Sequence, residues 1–406
     1  MIYNFAICLF VGAVRLIALF NKKVARMVKG EREAFDVLAR KIDPQAKYIW
    51  FHAASLGEFE QGRPLIELIR RNYPQYKILQ TFFSPSGYEV RKDYRGADVV
   101  CYLPLDTPRN VRRFLDAAHP CAAFFIKYEF WQNYLTELKR RNIPVYSVSS
   151  IFRKEQVFFR WYGKSYRKVL NTFTHLFVQD EASVKLLQSI GITNTTIVGD
   201  TRFDRVLEIC RQAKELPLVE LFKGDHTAFV AGSSWGPDED IFIPYFNAHP
   251  EVKLIIAPHV IEESHLKEII GKLDRTVVRY TQATEEKVKE ADCLLIDCFG
   301  LLSSIYRYGE IAYIGGGFGV GIHNVLEAAV YGMPVIFGPN NKRFREAQGL
   351  LQCKGGFEIQ GVEDFKKIMD EFLTNYGALD KAGKKAGNYV RDNAGALEKI
   401  MHTVTL

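Results

Sequence analysis

The apolar positions after residue 47 predict strands that alternate with helices. The apolar runs are short and lie between longer helical stretches, a pattern typical of buried parallel strands. In the first half of the chain the runs are residues 48–51, 122–126, 145–148, 174–178 and 196–198. The helical stretches between them include residues 61–72 and 131–141. These elements predict a first doubly wound domain that closes near residue 205.

A second series of apolar runs follows a polar stretch over residues 206–225, which we predict to be a linker. Its runs are residues 228–232, 253–256, 276–278, 293–296, 311–314 and 334–337. The two series predict an α/β fold with Rossmann-like, doubly wound domains over residues 31–205 and 226–406 that face each other across a cleft. Because ligands of such sheets bind at the carboxyl ends of strands, the candidate functional residues directly follow a strand.

The N-terminal segment, residues 1–30, predicts contact with a membrane. Residues 1–20 are apolar except for Asn4 and Arg15, and no basic stretch precedes them and no cleavage site follows, which excludes a secretory signal. The basic group that comes next consists of Lys22, Lys23, Arg26 and Lys29. The segment either spans the bilayer as a short anchor or lies in its interface, with the basic group against anionic headgroups. The alternative is an apolar helix packed on its own domain.

Composition and charge narrow the possible partners. A chain of 406 residues is too long for one core, so two domains are expected. The net charge of +7 is mild, and without a zinc finger, an aromatic RNA-binding motif or a long basic helix no nucleic-acid partner is predicted. The seven cysteines lack CxxC or Cys/His ligand spacing, which favours reduced thiols in a cytoplasmic protein over a disulfide framework or a structural zinc site.

Two carboxylates follow predicted strands in the first domain. Glu58 ends the segment 52–58, whose small residues allow a tight turn before a helix. It is a candidate catalytic base or, alternatively, a carboxylate that complements the helix dipole. Glu129 comes just after the run 122–126 and is flanked by aromatic residues. It is either a functional group at the ligand-facing end of that strand or a structural carboxylate in an ion pair.

A glycine-rich segment over residues 315–329 is the most specific pattern in the second domain. A strand leads into the glycines and then a helix, which together present backbone N–H groups to a phosphate. The spacing is not GxGxxG and no Walker lysine follows, so neither NAD nor ATP is the predicted ligand. Asn324 and Glu327 are three residues apart on that helix, share one face and can bind sugar hydroxyls. A glycine loop without function is the alternative.

Two more pairs of residues follow strands in the second domain. Ser233 and Ser234 can donate hydrogen bonds to phosphate oxygens. Pro258 and His259 come after the run 253–256. A lone histidine is more often structural than a ligand, so the role of His259 depends on its context.

Together these motifs resemble the Kdo (3-deoxy-D-manno-octulosonic acid) transferases of lipopolysaccharide biosynthesis, which have the glycosyltransferase-B fold. The resemblance extends from the apolar N-terminus to about residue 360. Its markers are HAASLGE at 52–58, EFW at 129–131, GDTRFD at 199–204, AGSS at 231–234, PH at 258–259 and the glycine-rich stretch 315–327. Several motifs in the same order along the chain make coincidence improbable.

The resemblance implies an inverting transferase that moves Kdo from CMP-Kdo to a lipid A precursor, lipid IVA. It places the general base at Glu58 and transition-state stabilisers at Glu129 and Arg202. In addition to Ser233 and Ser234, the expected CMP contacts are Pro258, His259, Gly315, Gly316, Gly317, Asn324, Val325, Leu326 and Glu327. No metal or cofactor is expected, because CMP carries one phosphate.

The expected location is the cytoplasmic face of the bacterial inner membrane, where anionic lipid is a further partner. Two departures from the family pattern concern ligand contacts: Lys127 stands where an acidic residue is common, and Ala257 where a basic one is common. Three other functions remain open at this point. They are a transferase that uses a UDP-sugar, a nucleotide-sugar epimerase of the same fold and a non-catalytic membrane adaptor. The number of Kdo residues transferred and the oligomeric state are not predicted.

Overall fold

The computed structural model describes residues 2–406, residue 2 by its backbone alone, and the chain divides into two compact units. The first unit comprises Met1–Arg205 and Ala394–Leu406, and the second comprises Val206–Asn393. Met1, which begins the predicted membrane segment, lies outside the described residues. The prediction of one domain over residues 226–406 needs a correction, because the C-terminal segment belongs to the first unit.

The first unit is built on a parallel sheet of seven strands. In chain order they are β1 (Lys47–Ala53), β2 (Tyr76–Phe82), β3 (Val99–Tyr102), β4 (Pro120–Ile126), β5 (Val145–Ser150), β6 (His175–Val178) and β7 (Thr195–Ile197). Their order across the sheet is β3-β2-β1-β4-β5-β6-β7, so the winding reverses between β1 and β4. Sheets of this kind bind ligands at that reversal, outside the carboxyl ends of the strands.

In the described part of the chain, eight α-helices of the first unit accompany this sheet before its C-terminal segment, and a ninth begins in the first unit and ends in the second. They are α1 (Ile2–Ile17), α2 (Lys22–Lys41), α3 (Leu56–Asn72), α4 (Pro85–Arg91), α5 (Pro108–Ala118), α6 (Gln132–Arg140), α7 (Lys164–Leu170), α8 (Glu181–Gln188) and α9 (Thr201–Arg211). Alternate residues of β1 belong to two different hydrophobic clusters. Tyr48 and Trp50 are in one cluster, and Ile49 and Phe51 are in the other. Both faces of the sheet are therefore buried, which explains why its strands are continuous apolar runs.

The second unit repeats this plan with its own parallel sheet of seven strands. They are β8 (Thr227–Ser234), β9 (Val252–Pro258), β10 (Val277–Arg279), β11 (Cys293–Leu295), β12 (Ile311–Ile314), β13 (Val335–Phe337) and β14 (Gly356–Glu358). The order is β10-β11-β9-β8-β12-β13-β14, and the winding reverses between β8 and β12. The predicted α/β class with two doubly wound domains is thus confirmed, whereas β2, β3 and β14 were not predicted.

The helices of the second unit begin inside the stretch that we predicted to be a linker. They are α10 (Pro217–Lys223), α11 (Gly236–Ala248), α12 (Glu263–Lys272), α13 (Glu285–Glu290), α14 (Leu302–Ile305), α15 (Leu326–Ala329), α16 (Arg345–Cys353), α17 (Val362–Thr374) and α18 (Tyr376–Asp392). In α10, Val219 and Phe222 are three residues apart and almost completely buried. The linker prediction for residues 206–225 is therefore corrected: apolar residues at helical spacing fold most of this polar stretch onto the second unit.

The C-terminal helix α19 (Ala396–Thr403) packs on the first unit. Ala396 and Ile400, four residues apart, are fully buried in the cluster that contains Ile49 and Phe51. The two carboxylate oxygens of Asp204 accept hydrogen bonds from the Gly395 and Ala396 N–H groups, at 3.0 and 3.1 Å. Asp204 thus caps the start of α19, because it satisfies two N–H groups that have no partner within the helix.

The N-terminal helix α1 packs one side on the first unit and exposes the other. Ile7 and Val14 are buried, and the Tyr3 hydroxyl donates to Asp106 Oδ2 at 2.6 Å. The large apolar side chains that α1 and the turn after it leave exposed are Phe5, Leu9, Phe10, Leu16, Ile17, Leu19 and Phe20. No helix within residues 2–406 has the length and apolar character needed to cross a membrane.

Candidate functional site

The reversal point of the first sheet carries the two predicted carboxylates. Glu58 lies in the first turn of α3, just after β1, and Glu129 follows β4, the strand that pairs with β1. One oxygen of Glu58, Oε2, accepts hydrogen bonds from the Ala54 and Ser55 N–H groups, at 2.7 and 3.2 Å. Glu58 therefore caps its own helix, which agrees with the alternative, structural role considered for it above. Only this one oxygen makes the two bonds.

The charge of Glu129 affects the ionisation of Glu58. Burial raises the pKa of Glu58, and the nearby negative charge of Glu129 raises it further, while the Ala54 N–H, His52 and Lys127 act in the opposite direction. A carboxylate with a raised pKa is a stronger base than a free one. The sequence-predicted pair is thus brought together, in the environment that a carboxylate base requires.

His52 is a residue of this site whose role the sequence argument missed. It lies on β1 with no exposed surface, and its Nε2 is 3.2 Å from Glu129 Oε2. Its Nδ1 is 2.9 Å from the Thr81 hydroxyl on β2, which also accepts the Trp50 indole N–H at 2.8 Å. The Trp131 indole N–H donates to the same Glu129 oxygen at 2.7 Å. His52 and Trp131 therefore fix the position of Glu129.

Two sequence features could have identified this arrangement. His52 is a polar residue inside an otherwise apolar buried run, and Trp131 comes two residues after Glu129. Both features were visible, but only strand pairing in three dimensions brings residues 52, 81 and 129 together. Lys127, whose charge affects Glu58, adopts a left-handed φ of 61° at the end of β4, a conformation that is unusual for a lysine.

Arg202, the third predicted catalytic residue, is held at the start of α9. Its Nε and Nη2 donate to Asp200 Oδ2 at 2.9 and 2.8 Å, and its backbone N–H donates to Asp200 Oδ1 at 2.9 Å. The adjacent Thr201 hydroxyl donates to the Gln61 carbonyl on α3 at 2.7 Å. This bond connects the start of α9 to α3, at a position one helical turn after Glu58.

The reversal point of the second sheet carries most of the predicted donor-site residues. Ser233 and Ser234 end β8, and Gly315, Gly316 and Gly317 directly follow its neighbour β12. A Cβ at position 315 would lie 2.2 Å from the Ser233 carbonyl oxygen, and Gly316 has a φ of 90°. Glycine is therefore required at both positions, because a side chain would clash at the first and strain the backbone at the second.

The two serines differ in their environment. Ser233 is partly exposed and has a left-handed φ of 54°, which is uncommon for a residue other than glycine. Ser234 is completely buried, and its hydroxyl donates to Glu239 Oε1 at 2.9 Å. The Ser234 hydroxyl is thus already engaged, and a contact with a phosphate stays a prediction for both residues.

The segment after the glycines is a longer loop than the sequence suggested. The helix that follows, α15, begins only at Leu326, after Val325, and has four residues. Asn324 therefore lies before the helix, which corrects the prediction that it shares a helical face with Glu327. The two side chains nevertheless meet, because Asn324 Nδ2 donates to Glu327 Oε1 at 2.9 Å.

Three rings lie together beside this loop. The ring of His259, the residue after β9, stacks on those of Trp235 and His323 with a centroid distance of 4.5 Å to each, and the Trp235 indole N–H donates to His323 Nε2 at 3.3 Å. The His259 N–H donates to the Ser234 carbonyl at 2.9 Å, and Pro258 ends β9 next to β8. Burial and the neighbouring His259 lower the pKa of His323. The backbone of His259 is therefore hydrogen-bonded to the end of the sheet. Its ring neighbours Trp235 and His323 were not predicted from the sequence.

Asp238 is a second residue that the sequence argument missed in this unit. Its Oδ2 accepts the Gly316 N–H at 2.9 Å, and its Oδ1 accepts the Tyr313 hydroxyl at 2.8 Å. Asp238 is almost completely buried, and burial raises its pKa. It fixes the glycine turn to the start of α11, beside a cavity of about 140 Å³ that is lined by Trp235, Pro237, Phe318 and Val320 among others.

Comparison with known proteins shows which family this chain resembles. Residues 29–205 match the family described as 3-deoxy-D-manno-octulosonic-acid transferase (kdotransferase). A 3-deoxy-D-manno-octulosonic acid transferase of Aquifex aeolicus is 29% identical over 334 residues, which cover 80% of this chain and 86% of the relative. The transferase of the same name from Haemophilus influenzae is 25% identical over 400 residues, 95% of this chain and 93% of the relative.

A solved structure shows the same fold at low sequence identity. The UDP-GlcNAc 2-epimerase of Neisseria meningitidis is 14% identical, with a TM-score of 0.60 over 88% of this chain and 99% of the epimerase. This likeness concerns the fold alone. The family match over residues 29–205 and the relatives that extend over most of the chain show that this chain is similar to 3-deoxy-D-manno-octulosonic acid transferases.

Proposed function

We propose that this chain transfers Kdo from CMP-Kdo to a hydroxyl group of the lipid A precursor lipid IVA, with inversion at the ketosidic carbon. The observation that supports this reaction best is the Glu58–Glu129 pair at the reversal point of the first sheet, with its raised Glu58 pKa. Glu58 removes the proton of the attacking hydroxyl as positive charge develops on the sugar. A positioned base of this kind contributes about 10²–10⁴-fold to a rate.

Glu129 and Arg202 are the proposed stabilisers of the transition state. Glu129 is fixed by His52 and Trp131, so its charge is oriented before the substrate binds. Arg202 is oriented by Asp200, which also balances part of its charge. We propose that Arg202 interacts with the phosphate that leaves with CMP.

The donor is proposed to bind at the reversal point of the second sheet. The backbone around Gly315, Gly316 and Gly317 receives the single CMP phosphate, and the Asn324–Glu327 pair receives ribose hydroxyls. Pro258 and His259 flank the nucleotide, and Val325 and Leu326 position the Asn324–Glu327 pair. We propose that the reaction needs no metal, because CMP carries a single phosphate and Arg202 balances part of its charge.

The acceptor is proposed to bind on the first unit next to α1. An apolar groove of about 370 Å³ reaches Glu129 and is lined by Tyr3, Ile7, Phe10, Tyr128, Phe130 and Trp131. The exposed apolar side of α1 continues from this groove, so we propose that the protein works at the cytoplasmic face of the inner membrane, in contact with anionic lipid. An exposed apolar surface of this extent marks an interaction site.

Nucleotide titration tests the donor part of the proposal against the two alternatives that use UDP-sugars. Calorimetric titration of the full-length protein should show binding of CMP at concentrations where UDP does not bind. Alanine at Asn324 or Glu327 should weaken CMP binding by roughly 1–3 kcal/mol, because the partner of the lost group is left unpaired. Equal affinity for UDP and CMP, or unchanged CMP affinity in both variants, would contradict the assignment of this segment to a CMP site.

A further inference from the structure

A polar cavity of about 200 Å³ lies in the first unit between α1, α2 and the start of α5. It is separate from the groove at Glu129 and contains none of the residues discussed so far as catalytic or donor-binding. Its lining residues include Arg15 on α1, Arg32 and Glu31 on α2, and Asn110 and Arg113 on α5. Three helices thus each contribute a guanidinium group to one small cavity.

The charges in this cavity are unbalanced. Within residues 2–406 no carboxylate lies at ion-pair distance from Arg15, Arg32 or Arg113. The Arg113 guanidinium lies over the ring of Phe35, at 3.9 Å from its centroid, and Arg15 is near enough to Glu31 to interact with it electrostatically. Arginine presents a planar set of donors that matches phosphate oxygens, and three such groups without carboxylate partners attract an anion.

Glu31 supplies a second, independent feature that indicates a ligand. It is only 5% exposed, it lines the cavity, and its Oε1 has no hydrogen-bond partner among the described residues. A buried polar atom without a partner is unfavourable until something binds to it. Burial raises the pKa of Glu31 to about 8, against the opposing effect of Arg15. The carboxyl group is therefore mostly neutral at pH 7, where it leaves the three positive charges uncancelled and offers an O–H donor.

The surroundings of the cavity indicate where the anion comes from. Arg15 is followed on the same helix and turn by Leu16, Ile17, Leu19 and Phe20, all large, apolar and exposed. An anion bound at Arg15 therefore lies beside a surface that is suited to acyl chains. This juxtaposition is typical of proteins that contact a bilayer at headgroup depth.

We propose that the cavity between Arg15, Arg32 and Arg113 binds the phosphomonoester headgroup of a membrane lipid, with the Glu31 carboxyl as an additional donor. A phosphomonoester is the lipid headgroup whose charge best matches three guanidinium groups, and its terminal oxygens are free to accept all four donors. The site orients the first unit on the bilayer through a specific contact, in addition to the general attraction of the basic group at residues 22–29. This inference rests on the proposed membrane association and not on the transfer chemistry.

Co-sedimentation of the full-length protein with vesicles tests the proposal. The vesicles contain phosphatidylcholine with either phosphatidic acid, a phosphomonoester, or phosphatidylglycerol, a diester, at matched surface charge. The first variant carries Arg15→Gln, Arg32→Gln and Arg113→Gln. The control variant carries Arg71→Gln, Arg95→Gln and Arg112→Gln, which remove the same charge from exposed positions outside the cavity. Arg15→Gln alone is the replacement if the triple variant does not fold.

The wild type and the control variant should bind phosphatidic acid vesicles at least about tenfold more tightly than phosphatidylglycerol vesicles, and the cavity variant should lose this preference. Equal losses in the two triple variants would overturn the proposal, because only overall charge would then matter. Displacement from phosphatidic acid vesicles by inorganic phosphate at about 1 mM would also overturn it, in favour of a site for free phosphate. Kdo transfer to a detergent-dispersed acceptor is measured in parallel. Absence of this activity would contradict the proposed function, and it would not bear on the lipid site.

Discussion

At the scale of single residues, the hydrogen bonds of the two carboxylates determine the geometry of the candidate site. Glu58 Oε2 is engaged by two backbone N–H groups, whereas Glu129 is held by His52 and Trp131. These bonds orient both carboxylates without a substrate. Such preorganisation reduces the cost of reorienting charged groups during the reaction.

Glu58→Gln tests the base directly. Glutamine keeps an oxygen that can accept the Ala54 and Ser55 N–H groups, so the start of α3 should stay intact, but it cannot take a proton. We expect turnover to fall at least about a hundredfold with CMP affinity unchanged. Retention of more than about a tenth of the wild-type kcat would remove Glu58 from this role. Glu60→Gln, two residues further along the same helix, is the matched control.

At the scale of elements, sequence patterns predicted the central strands better than their neighbours. The runs at 122–126 and 311–314 are apolar throughout because both sheet faces are covered, and they were predicted. Residues 76–82 were not predicted, because the polar residues Lys77, Gln80 and Thr81 interrupt the apolar pattern. The hydrogen bond between His52 and Thr81 could not be predicted for the same reason. The strand at 99–102 was not predicted either, although its four residues are apolar.

The helix boundaries around the glycine segment show a different limit. A glycine-rich turn after a strand predicts an immediate helix, but Gly319 and Gly321 extend the loop by donating their N–H groups to the Gly316 carbonyl at 3.1 and 3.0 Å. These local bonds compete with helix formation and delay α15 to Leu326. Asn324 and Glu327 were predicted to share a helical face, but Asn324 lies before the helix and meets Glu327 through a side-chain hydrogen bond instead.

Ile400→Ala tests the placement of α19 on the first unit. Loss of this fully buried side chain should cost about 2–5 kcal/mol of stability, because the other buried side chains cannot fill the cavity completely. Amide hydrogen exchange followed by mass spectrometry should speed up in β1 and stay unchanged in β8. Lys399→Ala, at an exposed position of the same helix, should leave both strands unchanged. Faster exchange in β8 alone would contradict the assignment of α19 to the first unit.

At the scale of the whole molecule, the proposed function requires a lipid acceptor to reach an active site at the membrane. The basic group Lys22, Lys23, Arg26 and Lys29 is exposed along α2, next to the exposed apolar residues of α1. A hydrophobic and an electrostatic contribution together are enough for stable association with a bilayer.

Replacing these four basic residues with glutamine should weaken binding to anionic vesicles. The expected loss is about 1 kcal/mol for each charge that reaches the membrane surface, and it should shrink at higher salt. CMP affinity should not change, because the four residues lie in the first unit and the proposed donor residues in the second. Equal sedimentation of the two proteins at every salt concentration would mean that the basic group is only a solvated surface.

The most direct test of the central claim is the reaction itself. The full-length protein is incubated with CMP-Kdo and lipid IVA, without added metal and in the presence of EDTA, and the lipid products are identified by mass spectrometry. We predict that the lipid gains the mass of at least one Kdo residue, that CMP is released in equal amount, and that Glu58→Gln abolishes both changes. Release of free Kdo with an unmodified lipid would contradict the account, as would the same lipid product at undiminished rate from Glu58→Gln.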